Sequence, residues 1–128
     1  QLSGNHHFMQ GLREAAARRA VYGECGGYMV LGDGMIDADG NRHKMAGLLG
    51  LETSFETRKL HLGYRAVTAQ TGPFAGSWAA HEFHYATTLK ANGTALFSAK
   101  DAMHQDLPEA GLINGSVSGS FMHLIDRA

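Results

Sequence analysis

A glycine-rich segment around the only cysteine of the chain places the strongest constraint on the fold. Apolar residues at 20–22 lead into it, glycines at 23, 26 and 27 surround Cys25, and an apolar stretch continues to Leu31. This order predicts a short strand, a sharp turn and a helix, with the cysteine at the tip of the turn. A lone cysteine is more often a buried structural residue, but the three glycines favour an exposed nucleophile here. Its place at a helix N-terminus would favour the thiolate.

The charge balance excludes several classes of function. Lysine and arginine total 11 against 12 acidic residues, a net charge of -1, so we expect no nucleic-acid partner. No apolar run approaches the roughly 20 residues of a membrane span, and no segment resembles a signal peptide. One cysteine is compatible with a reducing compartment. We therefore predict a cytoplasmic protein without a membrane partner, with residues 1–128 forming one domain.

The hydrophobic pattern predicts an α/β fold with an antiparallel middle. A helix over 5–19, capped by Asn5, precedes the first strand, and two apolar pieces flank an Asp-Gly turn as a hairpin. A calcium loop in that turn is excluded, because the glycine comes too early and the distant glutamate is absent. The expected elements are a strand at 20–22, a helix at 26–31, a hairpin of 35–36 with 45–49, strands at 62–70, 78–88 and 95–99, a strand and small-residue turn within 111–120, and a helix or turn at 121–125.

Three of the eight histidines are candidates for chemistry. His123 follows a strand and a small-residue turn, a position at the sheet edge where Cys25 should also lie. His81 and His84 suggest a metal site, but two residues separate them and a strand would turn them to opposite faces. The same alternation puts Glu82 and His84 on one face. That pair either orients a substrate or a second histidine, or is an ordinary polar face.

The segment 115–120 resembles an anion-binding loop only weakly. Its backbone amides are suitable, but it lacks the lysine of a phosphate loop, so it is a poor ATP site. Ser118 in this segment is a candidate substrate contact.

Four segments together resemble one known family. They are Tyr-Gly-Glu-Cys-Gly-Gly-Tyr-Met-Val-Leu-Gly at 22–32, Lys-Leu-His-Leu-Gly-Tyr-Arg at 59–65, His-Glu-Phe-His-Tyr at 81–85 and Gly-Ser-Phe-Met-His-Leu at 119–124. In this order they resemble the glutaminase domain of cobyrinic acid a,c-diamide synthases. The resemblance implies a flavodoxin-like class I glutamine amidotransferase domain whose first strands are not in this sequence.

The resemblance also implies roles for individual residues. Cys25 would be the nucleophile that attacks glutamine, and His123 its general base. The expected oxyanion and substrate contacts are Gly26, Gly27, Glu82, His84 and Ser118, and no metal site is expected. Two positions depart from the wider amidotransferase pattern, since Ile125 stands where the orienting glutamate is usual and Met29 where a glutamine is common. Asp126 or Glu82 could replace the glutamate.

The family implies a longer protein around this chain. An ATP-binding amide-ligase domain would precede it, using ATP and magnesium that this chain does not itself bind, and would amidate a cobyrinate-type corrinoid during cobalamin synthesis. Glutamine is then the substrate of this chain, the corrinoid reaches it through the synthetase domain, and a homo-oligomer is possible. We expect the isolated chain to make no diamide and to hydrolyse glutamine poorly or not at all.

Three other interpretations stay open on the sequence. Cobyric acid synthase and other tetrapyrrole amidases share the cysteine turn and the histidine. A cysteine hydrolase of the same fold would use Cys25 and His123 on another acyl substrate. A non-catalytic fragment would keep the fold for assembly only.

Overall fold

The computed structural model describes residues 6–56 and 60–127, with side chains over 7–56 and 60–126. Within these ranges the helices are α1 His6–Arg18 and α2 Gly26–Leu31. The strands are β1 Val21–Glu24, β2 Gly34–Ile36, β3 Arg42–Lys44, β4 Gly50–Ser54, β5 His61–Ala69, β6 Gly76–His84, β7 Thr87–Asn92, β8 Thr94–Asp101, β9 Asp106–Asn114, β10 Val117–Ser120 and β11 Met122–Arg127. Asn5, the predicted cap of α1, lies outside the described residues.

The described strands form two sheets. A seven-stranded sheet has the order β1-β10-β9-β8-β5-β6-β11, and a four-stranded sheet has the order β3-β2-β4-β7. In the large sheet β1 pairs with β10 in parallel, and the other neighbours are antiparallel. The predicted α/β character and antiparallel middle are therefore present in a sheet-rich form. The flavodoxin-like order and the missing first strands stay predictions.

Most predicted elements exist, with shifted bounds. The strand before Cys25 runs to Glu24, and α2 has the predicted bounds. The Asp-Gly hairpin is present, but its second strand is β3, because Arg42–Lys44 pair with β2 while the following apolar residues turn inward to the core. The strand predicted at 78–88 is two strands, β6 and β7, in different sheets. Strand β4 was not predicted, and β9 begins at Asp106, five residues before the strand predicted from residue 111.

Two predictions for the C-terminal part are wrong. The segment at 121–125 is neither a helix nor a turn, because Met122–Arg127 pair antiparallel with β6. The loop expected within 115–120 is mostly strand β10, all four residues of which are buried, and only Gly115 and Ser116 turn. Ladder hydrogen bonds to β1 and β9 occupy the backbone that an anion would need. We therefore assign no anion site there.

Apolar side chains fill both faces of the large sheet. One cluster joins the two helices, β4 and the strands beside β1, and contains Ala16, Tyr28, Leu31, Leu49, Leu51, Ala86, Leu112, Val117 and Phe121. The other lies among β5, β6, β8 and β11 and contains Val67, Ala69, Ala80, Leu96, Phe97, Ala99 and Met122. Phe121 and Met122 are adjacent in the chain but belong to different clusters. The segment that carries His123 is thus fixed on both sides of the sheet.

Helix α2 packs unusually close to the sheet. A Cβ placed on Gly23 would lie 2.7 Å from backbone atoms of Gly27, and one on Gly119 would lie 2.6 Å from the carbonyl oxygen of Gly23. Contacts this short exclude any side chain at these positions. The glycines therefore allow β1, β10 and α2 to meet directly behind the turn that carries Cys25.

Candidate functional site

Cys25 occupies a strained turn between β1 and α2. Its backbone angles are φ 51° and ψ -111°, in a region that residues other than glycine seldom adopt. The Cys25 N–H donates to the carbonyl of Ser120 at 3.0 Å, and its carbonyl accepts from the Met29 N–H at 3.1 Å. These bonds hold the turn from the sheet side and from the helix side. The geometry predicted for a nucleophile turn is present.

The structure brings Cys25 and His123 into contact. The Cys25 Sγ lies 2.8 Å from the His123 Nε2, although 98 residues separate them in the chain. The carbonyl oxygen of Phe121, 3.4 Å from Sγ, is a second acceptor available to the single thiol proton. Strand β10 ends beside β1, and the chain passes through Phe121 into β11, which places His123 over the turn. A nucleophile and a base within hydrogen-bond reach are the minimum for covalent acyl chemistry.

The charges around the thiol oppose its ionisation. Burial raises the pKa of Cys25, and the carboxylates of Glu24 and Glu82 raise it further. The expectation that the helix N-terminus would favour the thiolate is therefore wrong for this state, since α2 has only six residues and two negative charges lie near. The resting cysteine is a thiol, and it needs a base during attack.

Glu24 is the last residue of β1 and lies beside Cys25 and His123. Its Oε1 is 3.6 Å from the His123 Nδ1, and its Oε2 accepts hydrogen bonds from the Tyr22 hydroxyl at 3.1 Å and the Leu124 N–H at 3.2 Å. Sequence reasoning missed this residue and considered Asp126 and Glu82 instead. Two features of its position could have indicated it. Glu24 directly precedes Cys25, and it ends strand β1, which pairs with β10, the strand just before His123.

Gly26 and Gly27 form the exposed start of α2. The first N–H groups of a helix have no intrahelical acceptor, so these amides are suited to an oxygen that develops charge. A Cβ at either glycine would meet nothing within 4 Å. An apolar groove of about 330 Å³ runs past them toward Leu12, Val21 and Val30.

Glu82 and His84 share one face, as alternation predicted, and form a network behind Phe121. Glu82 Oε2 lies 2.8 Å from His84 Nε2, and its Oε1 accepts from Arg65 Nε at 3.2 Å. The hydrogen bond to His84 lowers the pKa of Glu82 below its ordinary range. The His84 ring stacks on Phe121, with centroids 4.0 Å apart. The pair thus supports the residue whose carbonyl contacts Cys25, and a direct substrate contact stays a prediction.

The same network contains residue types that can bind a metal ion. Within the described residues, the group of potential ligands whose donor atoms come within 4.8 Å of one another is His61, Glu82 and His84. The two histidine rings are stacked at 4.6 Å and 12°, so their in-plane lone pairs lie in nearly parallel planes and do not meet at one ion. The Arg65 guanidinium also binds this carboxylate. The geometry fits a ring stack and an ion-pair network better than a metal.

Ser118 lies in the middle of β10. It is fully buried, and its hydroxyl has no hydrogen-bond partner. Its neighbours in the parallel ladder are residues of β1, below the turn. The predicted role of Ser118 in substrate binding stays a prediction.

An exposed aromatic surface continues from His123. His123 pairs with His81 of β6, and His81 pairs with Tyr64 of β5. Directly paired residues of antiparallel strands project to the same face. Phe83 lies 6.3 Å from His81 and Tyr85 lies 6.0 Å from Phe83, centroid to centroid. We call Tyr64, His81, Phe83 and Tyr85 the aromatic face.

Comparison with known proteins shows the family of the chain. Residues 1–127 match the family described as the CobB/CobQ-like glutamine amidotransferase domain. The chain belongs to this family. Among its relatives, the hydrogenobyrinate a,c-diamide synthase of Brucella anthropi is 57% identical over 122 residues, which is 93% of this chain and 28% of that protein. The enzymes of that name from a Sinorhizobium species and Rhizobium meliloti are 54% and 53% identical, over 100% and 98% of this chain and 30% of each protein.

Membership confirms the family resemblance found in the four sequence segments. The mixed, sheet-rich structure is consistent with a class I amidotransferase-like domain. The chain spans less than a third of the length of these curated relatives. Neither helix of the described residues is long and apolar enough to cross a membrane.

Proposed function

We propose that this chain is the glutamine-hydrolysing part of an ATP-dependent amide ligase. It supplies ammonia for amidation of the a and c carboxylates of hydrogenobyrinate, the acceptor named for its relatives. The observation that carries the proposal is the 2.8 Å contact between Cys25 and His123 in a member of a glutamine amidotransferase family. The sequence predicted a cobyrinate-type corrinoid, and the 50–57% identity favours the diamide synthases over cobyric acid synthase.

The first half of the reaction releases ammonia. His123 Nε2 takes the thiol proton as Cys25 Sγ attacks the side-chain amide carbon of glutamine. The Gly26 N–H stabilises the tetrahedral oxyanion. Nε2 then protonates the departing nitrogen, the C–N bond breaks, and a glutamyl thioester remains on Cys25. Because the resting thiol is protonated and its pKa is raised, His123 acts during attack instead of holding a preformed thiolate.

The second half restores the enzyme. His123 Nε2 removes a proton from water, the hydroxide attacks the thioester carbon, and glutamate leaves as Cys25 recovers its proton. The proposed ligase would bind ATP and magnesium in the remainder of the longer protein, where ATP would supply the activation of the acceptor carboxylate. The steps proposed for this chain use only its own side chains, its backbone N–H groups and water.

Two variants of the complete synthase test the proposal. We expect Cys25→Ser and His123→Ala to lower glutamine-dependent synthesis at least about 10²-fold and to leave synthesis from free ammonia unchanged. His7→Ala, an exposed histidine on α1, is the matched control. A glutamine-mimicking diazo ketone should label Cys25 stoichiometrically. If Cys25→Ser loses both glutamine-dependent and ammonia-dependent synthesis, the role assigned to Cys25 is wrong. If the diazo ketone labels a residue other than Cys25, the result favours a hydrolase of another substrate or a non-catalytic fragment.

The aromatic face adjoins the site where ammonia would form. Phe83 is 49% exposed and Tyr64 is 68% exposed. A contiguous patch of exposed aromatic side chains is uncommon on a monomeric protein and often marks a contact surface. We assign this face to contact with the remainder of the longer protein. Phe83→Ser should then lower glutamine-dependent synthesis and release more free ammonia per diamide. Leu89→Ser, at 55% exposure on the other sheet, is the control and should change neither; equal effects of both variants contradict the assignment.

A further inference from the structure

The proposed reaction requires one particular form of the His123 ring. For Nε2 to accept the thiol proton, the remaining ring proton must lie on Nδ1. A neighbouring acceptor at Nδ1 selects that tautomer and fixes the ring orientation. His123 is 48% exposed on strand β11, so burial alone does not hold the ring. The position two residues later is Ile125, which has no acceptor in its side chain.

Glu24 offers the acceptor from the opposite side of the site. Its Oε1 faces Nδ1 at 3.6 Å, within ion-pair range but longer than a hydrogen bond. Contacts of catalytic groups commonly shorten when the substrate binds. The carboxylate is 30% exposed, so a small rotation about its side-chain bonds brings the oxygen closer to the ring.

The other carboxylate oxygen is anchored to the catalytic strand itself. Oε2 accepts from the N–H of Leu124, the residue directly after His123, and from the hydroxyl of Tyr22. Burial raises the pKa of Tyr22, so its hydroxyl stays protonated and remains a donor. Glu24, the residue directly before the nucleophile, is therefore hydrogen-bonded to Leu124, the residue directly after the base. This bond holds Cys25 and His123 in register.

Two other groups near His123, Glu82 and His81, make their contacts elsewhere. Glu82 is bound to Arg65 and His84 on the opposite face of β6 from His81. His81, the cross-strand neighbour of His123, contacts the Tyr64 ring. Asp126 follows a bulge in β11 and pairs with Ala79, two residues along β6 from His81, the partner of His123.

We propose that Glu24 is the positioning residue of the catalytic pair: it accepts the Nδ1 proton of His123 and holds the tautomer whose Nε2 deprotonates Cys25. This inference rests on the proposed glutaminase function. The closest variant, Glu24→Gln, keeps a carbonyl oxygen for the Tyr22 and Leu124 donors but turns an amide NH₂ toward Nδ1. It therefore separates orientation of the ring from support of the turn.

The experiment measures glutamine hydrolysis and ammonia-dependent synthesis by the complete synthase. We expect Glu24→Gln to lower kcat for glutamine about 10²-fold or more, with KM within about threefold and the unfolding temperature within a few degrees of wild type. Ammonia-dependent synthesis should be unchanged. Tyr22→Phe should lower kcat only a few fold, because the Leu124 N–H still holds the carboxylate. Glu14→Gln, an exposed carboxylate on α1, is the charge-matched control.

Each other outcome overturns the inference. Glu24→Gln with at least a third of the wild-type kcat shows that His123 needs no help from this carboxylate. If Asp126→Asn lowers kcat while Glu24→Gln stays active, the positioning role belongs to Asp126. A parallel fall of kcat and unfolding temperature in Glu24→Gln shows a structural role only. If Cys25→Ser retains glutaminase activity, the proposed function itself is wrong, and the two failures are thus distinguishable.

Discussion

Replacement of Gly23 by alanine tests how the backbone packing supports the catalytic contact. The new Cβ would lie 2.7 Å from the Gly27 carbon and oxygen and 2.8 Å from the Tyr28 nitrogen. All three are backbone atoms, so no side-chain rotation relieves the overlap. Ordinary carbon contacts begin near 3.5 Å, so α2 must move away from β1 by about 0.7–1 Å.

This shift has consequences for stability and for rate. Overpacking of this kind costs about 1–3 kcal/mol, or roughly 4–12 °C in unfolding temperature for a chain of this size. Cys25 sits between the two elements, so the same shift would lengthen its 2.8 Å contact with His123 to about 3.5–3.8 Å and weaken the hydrogen bond. A displacement near 1 Å at reacting groups costs about 10²-fold in rate.

The assay compares Gly23→Ala with Gly11→Ala. Gly11 lies on the exposed side of α1, where a Cβ meets nothing within 4 Å, so alanine should stabilise the helix by about 0.5–1 kcal/mol. Thermal unfolding followed by circular dichroism and kcat for glutamine hydrolysis are measured on both. An unchanged unfolding temperature and kcat in Gly23→Ala, or equal losses in both variants, would refute the packing argument.

Three further predictions concern buried polar groups and titration. Thr53 is 0% exposed, and its hydroxyl has no hydrogen-bond partner. Thr53→Val should therefore raise the free energy of unfolding, measured with denaturant, by about 1 kcal/mol. A lower free energy of unfolding would show that the hydroxyl has a partner. The pKa of Glu82 is lowered by its bond to His84, so its contribution to stability is present above about pH 4.3 and is lost as the pH falls through the depressed value. The stability difference between wild type and Glu82→Gln should therefore shrink from pH 6 to pH 3, and a constant difference would contradict this. Because the pKa of Cys25 is raised, the rate of iodoacetamide alkylation without glutamine should reach half its maximum above about pH 8.5. The Cys25→Ser variant serves as the blank. A half-maximal rate at a lower pH would show a preformed thiolate.

Local sequence was sufficient for the turn that carries the nucleophile. A cysteine with φ 51° needs small neighbours and a close helix, and glycines at 23, 26 and 27 encode both within five residues. Helix α2 and the shared face of Glu82 and His84 were also predictable, because they depend on short-range periodicity. His123 was chosen from eight histidines by its place after a strand and a turn.

The strand identity of the C-terminal segment was not predictable from local pattern. Residues 121–125 contain no polar alternation that separates a strand from a short helix, and pairing with β6 decides the outcome. The segment at 117–120 is rich in serine and glycine, which locally favour a turn. Burial between β1 and β9 overrides that preference.

The sequence by itself indicated the family through four short segments, and it predicted Cys25 as the nucleophile and His123 as its base. Only the tertiary structure decided how these residues act together. The 2.8 Å contact between Cys25 and His123 exists because β10 ends beside β1 and β11 then crosses above the turn. The same crossing brings the Leu124 N–H to Glu24, a partner 100 residues away that no local pattern identifies. Hydrogen bonds between distant segments depend on the path of the whole chain, and so does the position of His123 beside Cys25.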